Sequence, residues 1–174
     1  MAVVVLLRGV NVGGRRRLRP SLLAQRLRAY EVVNIGAAGT LVARKPGPTA
    51  SLCAALAAEL PFETAIVLCS GPEFLRAVSA HPFGEDPPAE DETRFLTILA
   101  KPARLRQAAP FQFPGEGDWL VRVLAIQGRF VYGVYRRHLK TIGCLAQLDR
   151  MCRVAVTTRN WNTVQAVAKA LSGT

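Results

Sequence analysis

The chain has 174 residues, half of them hydrophobic, with 23 basic against 12 acidic side chains and a formal net charge of +11. That length and apolar content suffice to bury a core without staples and exclude a disordered chain. No apolar run is long enough to span a bilayer, and Cys53, Cys69, Cys144 and Cys152 form no CxxC pair or Cys/His cluster, so we expect no membrane segment, no metal, no cofactor and free thiols in a reducing, cytoplasmic setting.

Residues 2–7 are an apolar, β-branched run that predicts a buried first strand, too short and lacking the basic leader of a signal peptide. It runs into Arg8, then into a glycine-rich turn (Gly9, Asn11, Gly13, Gly14) and a string of arginines, Arg15, Arg16, Arg17 and Arg19. Pro20 and Ser21 open a helix with Leu22, Leu23, Leu27 and Tyr30 at helical spacing. A strand at 32–35, a small-residue turn at 36–39 and a strand at 41–44 follow. Thr49 caps a helix reaching residue 60, with Leu52, Cys53, Leu56 and Leu60 on one face. A fourth strand covers 64–69, and 71–80 form a linking helix.

An acidic, Pro-rich segment at 82–93 marks a boundary. Beyond it the pattern predicts a strand at 94–101 and a short helix at 103–109 behind Pro102. A hairpin of 119–126 and 129–136 turns about Gln127-Gly128. A helix at 144–151, a strand at 153–156 and a last helix at 164–171, capped by Asn162 or Thr163, complete the chain. Each half reads β-α-β-β-α-β. We therefore expect an α+β fold of two ferredoxin-like βαββαβ halves with antiparallel sheets, residues 1–81 and 94–174, joined by the 82–93 linker and followed by a C-terminal helix. A single mixed sheet with helices on both faces is the alternative.

Charge is unevenly spread. Seven arginines precede the first acid, Glu31, while five of the twelve acids fall between Glu85 and Glu92. Such asymmetry suits an anionic partner, although arginine outnumbers lysine 19 to 4, which codon composition alone could produce.

Three segments could carry chemistry. In the Arg8 turn, glycines permit positive φ and close backbone approach to an anion, and Arg8 can fork onto phosphate or carboxylate. The glycine spacing is neither that of a P-loop nor that of a dinucleotide fold, and a plain strand-to-helix connection would use the same glycines. The segment Thr157-Thr158-Arg159-Asn160-Trp161-Asn162-Thr163 crowds side-chain donors before the last helix, where an anion could bind, or where a cap and a Trp161 anchor suffice. Residues 132–143 mix Tyr132, Tyr135, Arg136, Arg137, His138 and Lys140, a composition suited to bases and phosphates, or to a solvated strand end.

With these segments in view, the chain resembles a bacterial family, domain of unknown function 1697. LLRGVNVGG matches its LLRGINVGG-like opening and TTRNWNTV its ATxRNWNTV-like closing segment; Pro82-Phe83 and Lys140 also fit. Members carry a YIQSGN-like turn after the second strand; here Thr40 stands in place of the asparagine. The resemblance implies two similar α+β halves and no established activity.

The expected function is a binding module for an anionic ligand, such as nucleic acid, a nucleotide or a phosphorylated metabolite. The candidate ligand residues are Arg8, Asn11, Gly13, Gly14, Lys140, Arg159, Asn160, Trp161 and Asn162, in a cationic pocket between the halves. The alternatives are a small-substrate enzyme with arginine clamps and His138 or Lys140 as proton carrier, and an interaction protein in which both motifs are scaffold.

Overall fold

The computed structural model describes residues 1–12, 14 and 16–173. Among them are nine strands in two antiparallel sheets and five α-helices. The chain divides into two compact units, Met1–Val78 with Gln165–Thr174, and Ser79–Val164.

In the first unit, β1 (Val3–Leu7) lies between β3 (Thr40–Ala43) and β4 (Ile66–Ser70), with β2 (Val32–Asn34) beside β3, giving the order β2-β3-β1-β4. Val5 and Leu7 share a core cluster with Leu41, Ala43, Leu23 of α1 (Pro20–Arg26), and Leu52 and Leu56 of α2 (Thr49–Glu59). Val4 and Leu6 point to the opposite face and are equally buried. Burial on both faces is why β1 reads as an unbroken apolar run and not as an alternation. α3 (Gly71–Ser79) follows β4 directly.

The helix starts obey local chemistry. Pro20 occupies the first turn of α1, where its missing N–H is no loss. Thr49 is the first residue of α2 and not its cap; Pro48 holds the flanking position in extended backbone, and no side chain caps the helix. At Gly39, φ is +69° and an added Cβ would stand 2.9 Å from Leu7 Cβ, so the turn before β3 needs glycine to close on β1.

In the second unit, β5 (Glu92–Leu99) is flanked by β8 (Phe130–Arg136) and β9 (Val156–Asn160). With β7 (Val121–Gln127) and β6 (Phe111–Phe113), the order is β6-β7-β8-β5-β9. Leu148 and Cys152 of α4 (Thr141–Cys152) pack into the cluster of Phe95, Leu99, Val121, Val123, Val131 and Val156. The β7–β8 hairpin turns at Gly128, φ +59°. α5 (Trp161–Ser172) ends the chain.

Three expectations change here. Residues 103–109 are not helical, so the second half lacks the first helix of a βαββαβ unit and carries β6 instead. Ala103 and Leu105 pack on the core with exposed Arg104 between them, an extended period of two. The last strand starts at Val156, not 153, because Arg153 adopts a left-handed conformation (φ 53°) that ends α4. Also, β5 begins at Glu92, inside the segment read as a linker.

Candidate functional site

Arg8 continues the β1 ladder by one residue. Its N–H donates to the Ala65 carbonyl at 3.0 Å, and its carbonyl accepts from Thr64 Oγ1 at 2.5 Å. These bonds fasten the glycine turn to the segment before β4. Between them opens a cleft of about 950 Å³. Arg8, Gly9 and Arg16 form one side; Leu60, Pro61 and Phe62 supply an apolar wall, with Glu63 and Thr64 at the same lining. A Cβ built on Gly9 would lie 3.8 Å from Arg16 Nη1, so the Arg16 guanidinium lies close to the turn. Two arginines thus serve one concavity, where a guanidinium can fork onto phosphate or carboxylate.

The described part of the turn is tied together at Asn11. Asn11, at φ 57°, occupies the left-handed region that asparagine tolerates. Its amide donates to the carbonyls of Leu18 (2.9 Å) and Ala37 (2.6 Å), and its Oδ1 accepts from the Leu18 N–H at 2.8 Å. Its backbone N–H donates to the Arg16 carbonyl at 3.2 Å. Asn11 therefore organises the loop, with both hydrogens of its amide nitrogen spent on backbone carbonyls. Gly14 lies in the same loop with φ 72°. Gly13 lies outside the described residues.

In the second unit, Arg159, Asn160, Trp161 and Asn162 form a direct strand-to-helix junction instead of a loop. Arg159 pairs with Leu96 on β5, is 8% exposed, and donates to the Thr158 carbonyl at 2.9 Å. Burial pushes its pKa down to about 10. Asn160, not Asn162 or Thr163, caps α5: its Oδ1 accepts from the Thr163 N–H at 2.9 Å. Trp161 is buried, edge-on to His81 and Phe83 with centroids at 5.0 and 4.9 Å. Asn162 is exposed on the first turn.

Lys140 flanks the start of α4. Before it, Arg136 ends β8 opposite Glu92, whereas Arg159 pairs with Leu96, so the register sets these two arginines at different levels of β5. His138 Nδ1 accepts from the Lys140 N–H at 3.1 Å. The neutral ring's proton is then on Nε2, so His138 as held presents a donor and not a base. Trp119 lies against the guanidiniums of both Arg122 and Arg136, each 4.3 Å from its ring centroid.

Residues 60–66 carry no functional signal in the sequence: an apolar Leu-Pro-Phe is followed by Glu, Thr, Ala and the first residue of β4. Among the described residues no helix is long and apolar enough to cross a membrane, and no group of His, Cys, Asp or Glu is arranged to hold a metal ion.

No curated protein matches the chain. Among solved structures, it is similar to the conserved bacterial protein SP0830 from Streptococcus pneumoniae, at 16% identity, a TM-score of 0.61 and 98% coverage of each chain, a likeness of fold. The family described as "Protein of unknown function (DUF1697)" matches residues 1–132, which include the Arg8 turn and the cleft and stop before Lys140 and the Arg159 junction. The chain belongs to the DUF1697 family.

Proposed function

We propose that this protein binds an organic anion of the nucleotide class in the cleft at the end of β1. The observation that carries this reading is the pairing of two guanidiniums, Arg8 and Arg16, with an apolar wall of Leu60, Pro61 and Phe62 across one cleft of about 950 Å³. Arginines suit the phosphates; the wall suits a flat base. Glu63 in the same lining disfavours a bare polyanion and suits a ligand whose sugar hydroxyls donate hydrogen bonds. That balance favours a nucleotide over an extended nucleic-acid backbone.

The test is calorimetric titration of the whole protein with AMP and ADP at low and moderate salt. We expect binding that weakens with salt, and a roughly tenfold loss of affinity in Arg8→Ala and in Arg16→Ala. Equal affinity in wild type and both variants would set the proposal aside.

A second reading, that the motifs are scaffold, has specific support in Asn11 and Asn160, whose side-chain acceptors serve backbone N–H groups. The two readings divide the residues: Asn11 and Asn160 build, Arg8 and Arg16 bind. The order β2-β3-β1-β4 supports reading the first unit as a ferredoxin-like arrangement. In the second unit β9-β5-β8-β7 repeats that order, with β6 in place of the first helix.

A further inference from the structure

A second cleft, of about 450 Å³, lies in the second unit, between the C-terminal end of α4 and the segment around β6. Arg106, Arg150 and Arg153 ring it, Gln147 adds a polar amide, and Phe113 and Met151 form its apolar part. No carboxylate lines it. None of the three guanidiniums makes a hydrogen bond or ion pair with another described residue. Three like charges around one concavity repel each other, and no carboxylate in the lining offsets that repulsion.

The α4 C-terminus brings about half a negative charge, which favours basic residues there on structural grounds. That accounts for Arg150 in the last turn. It leaves Arg106, which comes from a different segment of the chain. At Arg153 φ is 53°, a backbone position where glycine is the favoured residue, yet a long cationic side chain occupies it. A residue held where its own backbone preference opposes it points to a role for its side chain.

We propose that this cleft binds a nucleoside phosphate: the phosphate accepts from the guanidiniums of Arg106, Arg150 and Arg153, and the organic body covers Phe113 and Met151. Three full positive charges exceed the opposing partial charge of the helix end. The apolar part distinguishes the site from a surface that merely attracts ions, because an inorganic anion gains nothing from covering Phe113. The site is independent of the cleft at Arg8, since no residue is common to the two linings.

The chain contains two methionines, Met1 and Met151, so carbon-13 methyl labelling yields one signal inside this cleft and one at the N-terminus. Titrating the full-length labelled protein with ADP should move the Met151 resonance saturably and leave Met1 in place. Inorganic phosphate should bind about tenfold more weakly. Arg150→Ala and Arg153→Gly should each raise Kd about tenfold. The Arg153→Gly variant guards against a folding artefact, since glycine fits that backbone conformation better and should leave Tm unchanged or raised. A Met151 signal that stays fixed at millimolar ADP, or that moves with the same Kd in wild type and both variants, overturns the site. Phosphate binding as tightly as ADP overturns the nucleoside assignment. Because Met151 reports this cleft alone, its answer is separate from calorimetry on Arg8→Ala.

Discussion

Asn11 and Leu18 are joined twice: the asparagine amide donates to the Leu18 carbonyl at 2.9 Å while its Oδ1 accepts from the Leu18 N–H at 2.8 Å. A side chain here takes the place of a neighbouring strand and closes the loop that carries Arg8 and Arg16. Replacing Asn11 with Ala removes these bonds and strains φ 57°; Asn11→Gly removes the bonds alone. Because the loop is exposed, each lost bond is worth about 1 kcal/mol or less. We expect Asn11→Ala to lower stability by about 1–2 kcal/mol and Asn11→Gly by less. Hydrogen exchange at the Leu18 amide should accelerate in both. Unchanged protection would show that the pairing does not order the loop.

Asn160 gives a cleaner separation of building from binding. As the cap of α5 it satisfies the Thr163 N–H. Asn160→Ala should cost about 1 kcal/mol in urea denaturation, and Asn160→Ser or Asn160→Asp should restore most of it. Calorimetric affinity for nucleotides at the Arg8 cleft should not change in any of the three. A variant with wild-type stability and reduced affinity would reassign Asn160 as a ligand residue.

Gly133 is a packing requirement within the β7–β8–β5 sheet. A Cβ there would lie 2.4 Å from Phe95 Cζ and 2.5 Å from the Arg122 carbonyl oxygen. The ring could rotate, but the carbonyl belongs to the paired strand and cannot move without opening the ladder. Gly133→Ala should therefore destabilise by at least about 1–3 kcal/mol, the usual range for overpacking. Trimming Phe95 to Leu in the same chain should not recover the loss, since the backbone contact persists. Recovery in the double variant would place the whole clash on the ring.

What the sequence reveals and what it hides follow from range. β1, α1, β2, β3, α2 and β4 are written in local signals: the apolar run, Pro20, the glycines at 36 and 39, the helical spacing of Leu52 and Leu56. Residues 103–109 have helix-compatible composition, and only packing of Ala103 and Leu105 on a distant core makes them extended. The Arg8 turn is visible as a glycine-rich strand end. Its opposite wall at residues 60–66 is not, because β1 and β4 meet by pairing over about sixty residues, which no local pattern encodes. Asn11 looks like a ligand donor in sequence for the same reason: its acceptors at Leu18 and Ala37 come from elsewhere in the chain.

Alkaline pH should expose the core electrostatically. Burial, and then the nearby Asp149 carboxylate, push the Cys152 thiol from 9.0 up to about 11. Burial alone pushes Tyr132 from 10.0 up to about 12. In each case the folded state keeps a proton that the unfolded chain has already released, so the contribution is complete below the unfolded value and is lost as pH rises through the window. Stability should fall by about 1.4 kcal/mol per pH unit for each group while it titrates. Arg159 acts in the opposite sense above about pH 10, because burial lowers its pKa and the folded state releases its proton first. Between pH 9 and 10 Cys152 is the group furthest into its window, and the early titration of Tyr132 and Arg159 acts in opposite senses. Urea midpoints measured across it should decline in wild type and flatten in Cys152→Ala. The slope is the readout, so any constant loss from the smaller side chain cancels. An equal decline in the variant would mean that the thiol does not carry the pH dependence.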